Sequence, residues 1–173
     1  MNPPIPQPET RTRAVWQSPD QVAESERPAH WAWLTESGSL TGLLEARLGA
    51  TVQVERMSED SDGEGALRRE VRLHAAGRPL VYAVSHIPAS LLKRLDWMSS
   101  LGDQPLGSRL FSAGDAVREG LAIAHLSVDD PLVSRAWEGL DRDPVPLWAR
   151  RSRLVLGSQA MVIVECFLHG ERG

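Results

Sequence analysis

Two charged side chains stand at strand positions whose neighbours are apolar. Arg69 falls on the same side of an alternating segment as Leu67 and Val71, whereas the other charges of that segment face the opposite way. Glu165 is the only charge in the segment 159–168, which is apolar on both faces and therefore predicts a central strand. Both charges are thus expected to be covered by protein.

These two charges admit two interpretations. A carboxylate in a central strand loses most of its hydration, so its pKa is expected to rise unless a cation lies close to it. In one interpretation Arg69 and Glu165 form a buried ion pair, which perturbs pKa values without doing chemistry. In the other they line a pocket, where the guanidinium binds a ligand carboxylate as a planar fork and the glutamate handles a hydroxyl group or a proton. The sequence leaves both open.

Three further arginines, Arg150, Arg151 and Arg153, cluster near the end of the chain. The chain has a net charge of −4 and no stacking aromatics between these arginines, so they indicate a solvated strand face rather than a nucleic-acid interface. If the turn that follows has two residues, parity puts Arg150 on the face of Glu165 and the other two on the opposite face. A three-residue turn reverses this arrangement.

Several other kinds of site lack their residue patterns. The five histidines include no close pair at metal-ligand spacing, so no metal site is expected. Neither a glycine-rich phosphate loop nor a Gly-x-Ser-x-Gly turn occurs. Cys166 is the only cysteine, and a single cysteine excludes an internal disulfide and suits a cytoplasmic protein. The residue itself is expected to be an inert part of the core. No segment approaches the roughly 20 apolar residues that cross a bilayer, so no membrane insertion is expected.

The elements that must position these charges follow an α+β order with a mostly antiparallel sheet. Alternation and apolar runs predict strands at 51–55, 67–74, 80–87, 121–126, 148–156 and 159–168. Helical spacing predicts helices at 31–34 and 40–48, from Pro88 to Met98, after Pro105 and at 130–140.

The remaining segments are predicted to be irregular. Residues 1–27 are rich in proline and polar side chains and are expected to form a disordered leader, so that 28–173 make a single domain. The acidic stretch 59–65 is expected to be a solvated loop; its calcium-loop spacing fails because Arg69 stands where a bidentate glutamate is needed.

Three segments carry a resemblance to a known family. Trp148-Ala-Arg-Arg-Ser-Arg-Leu154, followed after ten residues by Glu165, resembles the C-terminal hairpin of the chorismate pyruvate-lyase family. Two further segments are similar to the family: Pro105-Leu106-Gly107 before Leu110-Phe111, and Arg69-Glu70 before Gly77, Pro79 and Ile87-Pro88. The likeness covers about 31–168. It implies an antiparallel sheet of about six strands with helices on one side, helical flaps over a buried ligand site and no cofactor.

The resemblance also implies an activity and a set of site residues. Members of this family remove pyruvate from chorismate and release 4-hydroxybenzoate, at the start of ubiquinone biosynthesis. By position, Arg69 and Glu165 are the catalytic residues, binding the ring carboxylate and the ring hydroxyl respectively. Backbone amides of Leu40 and Leu106 complete the carboxylate site. The implied partners are these small molecules, and a monomer is expected because no apolar surface stripe is evident.

Departures from the family pattern concern the second carboxylate of the substrate. Val84 stands where an arginine is aligned and Ala83 where a glycine is aligned, which leaves Arg150 or Arg109 as its partner. Two rival interpretations follow: an inactive homologue, and a non-catalytic sensor domain of the same fold that binds a small aromatic acid. The leader is expected to be too short and too proline-rich for a helix-turn-helix module, which argues against the sensor.

Overall fold

A computed structural model describes residues 13–114 and 116–168 of the chain. The strands in this part of the chain are β1 Gln53–Ser61, β2 Leu67–Ala75, β3 Arg78–Ile87, β4 Ala116–Leu126, β5 Leu147–Leu156 and β6 Gln159–Phe167. Its α-helices are α1 Trp31–Leu34, α2 Leu40–Leu48, α3 Ala89–Leu92, α4 Leu106–Ser112 and α5 Pro131–Trp137. Short 3₁₀ helices lie at Pro19–Gln21, Glu24–Glu26 and Asp96–Ser100.

The strands form one sheet in the order β1-β2-β3-β6-β5-β4, and all neighbouring strands are antiparallel. β3 and β6 occupy its centre, as predicted from the apolar character of both faces of β6. The turn between β5 and β6 consists of Gly157 and Ser158. The predicted α+β class and antiparallel sheet are therefore confirmed.

The two faces of the sheet have different covers. The face that carries Arg69, Arg150 and Glu165, here called the site face, is covered by α1 to α4. Buried apolar residues of these helices pack onto it: Leu34, Leu44, Leu91 and Leu110. Helix α5 packs on the opposite face, where its Val133 joins a cluster with Tyr82 and Val164. The helices thus lie on one side, as expected, with α5 as the single exception in the described part of the chain.

Helices α2 and α5 have ends that the sequence specifies locally. The Ser39 hydroxyl accepts a hydrogen bond from the Gly42 amide at the start of α2, and Gly49 ends that helix in the left-handed conformation with φ +62°. The Asp130 carboxylate likewise accepts a hydrogen bond from the Leu132 amide at the start of α5. These caps fix where α2 begins, and α2 contributes to the site.

Strand β1 is longer than predicted, because it continues to Ser61 and includes the first three residues of the expected acidic loop. The reason lies in its partner strand, where Glu59 pairs with Arg69 and Asp60 with Arg68. Opposite charges across two neighbouring strands stabilise the pairing of residues that in isolation favour a loop. The remaining turn is closed by Asp62, whose carboxylate accepts hydrogen bonds from two backbone amides.

The second face of β2 was predicted to be exposed, and this is wrong at Glu70 and Arg72, which are buried. Helix α5 and the turn after it cover this face. Arg135 of α5 donates to Glu70 at 2.6 Å, and Arg72 donates to the Glu138 carbonyl oxygen at 2.7 Å and to Glu55 at 3.0 Å. Ion pairs and hydrogen bonds thus satisfy charges that the pattern assigned to water.

Two element boundaries also differ from the prediction. The helix expected from Pro88 to Met98 is interrupted, with α3 ending at Leu92 and a 3₁₀ helix following at Asp96–Ser100. Strand β4 begins at Ala116, before the predicted start at residue 121. Its alternation is broken by a register shift between Glu119 and Ala122, which hides the strand's first half from a periodicity argument.

The segment before α1 packs on the sheet in its described part. The backbone of Gln17 exchanges two hydrogen bonds with that of Ile123, at 3.0 and 2.7 Å, and Val22 is buried. This differs from the expected disorder up to residue 27; residues 1–12 of the predicted leader lie outside the described residues. No helix in the described part of the chain is both long and apolar enough to span a membrane.

Candidate active site

A small cavity lies between the site face and the first residues of α2 and α4. Its walls include Leu40, Arg69, Leu106 and Glu165, the residues predicted to form the site. They come from α2, β2, α4 and β6, so only the folded chain brings them together. The cavity is small, with a volume of about 40 Å³. A larger ligand therefore requires the covering segments to move.

Leu40 and Leu106 are the first residues of α2 and α4 and are nearly buried. Backbone amides in the first turn of a helix have no partner within that helix. Two helix starts therefore meet at the cavity. Leu40 and Leu106 also belong to the apolar clusters beneath their helices.

Arg69 is 3% exposed and does not pair with Glu165. Its Nη1 donates to Glu59 Oε2 at 2.6 Å, and its Nη2 donates to the Gly102 carbonyl oxygen at 2.6 Å. The interpretation of Arg69 and Glu165 as one buried ion pair is therefore wrong. Cross-strand pairing gives Arg69 a carboxylate from β1, and that carboxylate is one-third exposed.

Glu165 is held by two other arginines. Arg150 Nε donates to Glu165 Oε2 at 2.5 Å, and Arg150 Nη2 donates to Oε1 at 3.2 Å. Arg118 Nη1 lies 3.3 Å from Oε2. Burial alone would raise the pKa of the Glu165 carboxyl, but the two guanidinium groups outweigh it and hold the pKa below its ordinary value. Glu165 is therefore an ionised acceptor.

Arg150 is fully buried, so the prediction of a solvated arginine face is wrong for this residue. It pairs directly with Glu165 across β5 and β6, as parity required for a two-residue turn. Its Nη1 donates to the carbonyl oxygens of Trp33 and Glu36 at 2.9 Å each. Arg150 thereby ties the segment between α1 and α2 to the centre of the sheet, and it holds Glu165 rather than lining the cavity.

Arg151 and Arg109, by contrast, lie away from the cavity. Arg151 lies on the opposite face of β5, with its guanidinium 4.9 Å from the centre of the Trp16 ring. Arg109 is exposed on α4 and stacks over Trp97 at the same distance. The sequence left Arg150 and Arg109 as candidate partners for the second carboxylate of the expected substrate. Arg109 is not part of this cavity.

Arg118 is the site residue that the sequence reasoning missed. It lies in the first half of β4, its side chain is 3% exposed, and it lines the cavity. Nη1 donates to the Ser152 hydroxyl and to Glu165, while Nη2 donates to the Gly38 carbonyl oxygen at 3.4 Å. A strand predicted to begin before Arg118 would have indicated its position on the sheet. The register shift after Glu119 interrupts the alternation of side chains from which that earlier start could have been predicted.

The two departures at Ala83 and Val84 fall on opposite faces of the sheet. Ala83 pairs with Glu165 and lines the cavity. Val84 belongs to the cluster beneath α5, on the other face. A side chain at position 84 therefore does not reach this cavity, whichever residue stands there.

Among residues 13–114 and 116–168, no group of three or more histidine, cysteine or acidic side chains is arranged to hold a metal ion. Cys166 is buried, and burial raises the pKa of its thiol. It has the environment of a core residue, as predicted, and not that of a nucleophile. His169 lies outside the described residues.

Buried guanidinium groups beside the cavity suit an anionic ligand, although carboxylates accompany them. Glu165 lies between Arg118 and Arg150, Glu59 pairs with Arg69, and Glu36 also attracts Arg118 electrostatically. Buried guanidinium groups bind carboxylates through charge-assisted hydrogen bonds. The walls also include apolar side chains such as Leu154 and Ile163, which suit a ring. The cavity therefore offers buried guanidinium groups and apolar walls to a small ligand.

Comparison with known proteins gives a match over almost the whole chain. Residues 10–172 match the family model described as chorismate lyase. A probable chorismate pyruvate-lyase of Halorhodospira halophila is 39% identical over 165 residues, covering 84% of this chain and 86% of that protein. A probable chorismate pyruvate-lyase of Azoarcus sp. is 37% identical over 155 residues, covering 79% of this chain and 82% of that protein.

Two solved structures illustrate the similarity in fold. The effector domain of PhnF from Mycobacterium smegmatis aligns with a TM-score of 0.53 at 15% identity, covering 78% of this chain and 90% of that one. A structure of PhnF from the same organism aligns with a TM-score of 0.54 at 14% identity, covering 80% of this chain and 67% of that one. At these identities the likeness concerns the fold alone.

Proposed function

The chain belongs to the chorismate lyase family and is an enzyme of that kind; from this premise we propose that it removes pyruvate from chorismate, releases 4-hydroxybenzoate and so supplies ubiquinone biosynthesis. The observation that carries the proposal is the convergence of Leu40, Arg69, Leu106 and Glu165 on one buried cavity. The proposal includes a cytoplasmic monomer with only small molecules as partners, in keeping with the single cysteine and the net charge of −4.

We assign the ring carboxylate of the substrate to Arg69 and to the amides of Leu40 and Leu106. The guanidinium supplies charge, and the two helix starts supply backbone donors. Because Glu59 is one-third exposed, its carboxylate can turn to water when a ligand carboxylate takes its place at Arg69. This arrangement fixes one end of the ring.

We assign the hydroxyl group at the other end of the ring to Glu165. Its lowered pKa makes it a weak base, so its role in this proposal is to accept a hydrogen bond from the hydroxyl and orient the ring. In the reaction the bond between the ring carbon and the ether oxygen breaks, so that this oxygen leaves with the three-carbon group. The ring carbon that bears the hydroxyl loses its hydrogen, and the departing enolpyruvate gains one at its methylene carbon to become pyruvate. Aromatisation drives this step, so the protein mainly orients the substrate and excludes water.

The proposal is tested by incubating the purified protein with chorismate. Pyruvate is followed with lactate dehydrogenase, and 4-hydroxybenzoate by chromatography, with the two products expected in equal amounts. Replacing Arg69 by glutamine is expected to lower kcat/KM by roughly 100-fold, since it removes a buried charge partner of the substrate. The matched control is Arg153→Gln in β5, on the opposite face, which is expected to leave kcat/KM within about twofold.

The outcomes separate the rival functions. Binding of 4-hydroxybenzoate without turnover of chorismate would contradict the proposal and indicate a binding domain. Neither binding nor turnover, in a protein shown to be folded, would indicate an inactive homologue.

A further inference from the structure

Arg118 has hydrogen-bonding capacity that the protein does not use. Its side chain is 3% exposed, yet Nε has no hydrogen-bond partner among the residues that the structure describes. Nη2 makes one long contact, 3.4 Å to the Gly38 carbonyl oxygen. A buried charged donor without an acceptor is costly, so its presence in the wall of a cavity points to an acceptor on the ligand.

The other arginines near the cavity differ from Arg118 in this respect. Every nitrogen of the Arg150 guanidinium donates, to Glu165 or to backbone carbonyl oxygens. Arg69 donates to Glu59 and to a carbonyl oxygen from its two terminal nitrogens, and its Nε is not among the buried atoms that lack a partner. Arg118 therefore combines burial, a place in the wall and an unused donor.

The position of Arg118 matches the chemistry of the proposed substrate. Chorismate carries two carboxylates, one on the ring and one on the three-carbon ether group, which is attached next to the carbon that bears the hydroxyl. A residue that binds the second carboxylate must therefore lie beside the residue that binds the hydroxyl. Arg118 Nη1 lies 3.3 Å from Glu165 Oε2 and meets this requirement.

We propose that Arg118 binds the carboxylate of the departing three-carbon group and thereby distinguishes the dianionic substrate from the monoanionic product. This inference rests on the proposed function, because it takes chorismate as the substrate. It gives the second carboxylate a partner on β4 and leaves Val84 and Arg109 without a part in binding it.

The test uses two stable probes that differ in one charge: 3-(1-carboxyvinyloxy)benzoate, and the same molecule with its side-chain carboxylate as a methyl ester. Calorimetric titration of the wild-type protein is expected to show that the diacid binds more tightly than the ester, on the order of 10- to 100-fold. In Arg118→Gln the preference is expected to fall below about threefold. Since Arg118 also contacts Glu165, the ratio of the two affinities is the readout, because effects on ring binding cancel in it.

Matched variants complete the experiment. Arg109→Gln is expected to retain the wild-type preference, because Arg109 stacks on Trp97 outside the cavity. Arg118→Lys keeps the charge but loses the planar fork, so it is expected to fold and to show a preference several-fold below that of the wild type. If Arg118→Gln does not fold, Arg118→Lys takes its place in the comparison of diacid and ester binding.

Equal binding of diacid and ester by the wild type would overturn the assignment. So would an undiminished preference in either Arg118 variant, or loss of the preference in Arg109→Gln. Turnover of chorismate by the wild type is measured separately. If no pyruvate forms, the proposed function fails, whereas the affinity ratio still reports whether Arg118 binds a carboxylate.

Discussion

Replacing Arg150 by methionine tests how much the buried pair with Glu165 stabilises the fold. Arg150 is 0% exposed. Its guanidinium donates two hydrogen bonds to Glu165 and its other hydrogen bonds to backbone carbonyl oxygens. Methionine retains much of the side-chain volume, so the loss comes mainly from the broken ion pair. Breaking a buried pair by removing one partner costs roughly 3–5 kcal/mol. Because Arg118 still faces Glu165, we expect a loss at the low end, about 3 kcal/mol.

Urea unfolding at pH 7, followed by tryptophan fluorescence, measures this loss. A domain of this size has roughly 5–15 kcal/mol of stability, so the variant is expected to remain folded without urea. The control is Arg151→Met, the next residue on β5, whose contact among the described residues is the face of Trp16. Its loss is expected to be about 1 kcal/mol or less. Equal losses in the two variants would refute the reasoning.

A double-mutant cycle then isolates the pair. Glu165→Gln alone leaves Arg118 and Arg150 close together without a counter-ion, so it is also destabilising. In Arg150→Met with Glu165→Gln one of those cations is absent. The double variant is therefore expected to lose less than the sum of the single losses, by about 2 kcal/mol. Additive losses would show that the pair contributes nothing beyond its separate contacts.

Three further predictions concern other features of the chain. In the folded protein Arg118 and Arg150 outweigh the effect of burial and lower the pKa of Glu165 from its ordinary value of 4.5. The stability that the two arginines contribute through Glu165 is therefore complete above pH 4.5, and it is lost as the pH falls through the lower pKa of the folded state. The difference in unfolding free energy between wild type and Glu165→Gln is therefore expected to shrink between pH 7 and pH 3.5, and a constant difference would contradict the assignment of the charges. Burial raises the pKa of the Cys166 thiol, so a disulfide reagent at pH 8 is expected to label it only after unfolding in guanidinium, and labelling of the native protein would contradict its burial. Gly49→Ala is expected to cost about 1 kcal/mol in urea unfolding because of its φ of +62°, whereas Gly63→Ala, which has neither a positive φ nor a close neighbour, serves as the control.

Local pattern predicted much of the sheet and two of its charged residues. The two apolar faces of β6 indicated its central place. Parity allowed Arg150 to share a face with Glu165 if the turn after β5 has two residues, a condition that the sequence left open and the structure meets. Alternation along β2 indicated that Arg69 is covered. These inferences succeed because the side chains of one strand alternate strictly between its two faces, and that period can be read from the sequence alone.

The partners of those charges were decided only by the tertiary structure. Arg69 pairs with Glu59 because β1 lies beside β2, and Glu165 pairs with Arg118 because β4 and β5 bring that arginine over it. Helix α5 buries Glu70 on a face that the pattern assigned to solvent. Periodicity states which residues of one strand share a face, but it carries no information on which strand lies alongside or which helix covers that face. Those choices depend on contacts between residues far apart in the chain, and a bulge such as the one in β4 removes even the local signal.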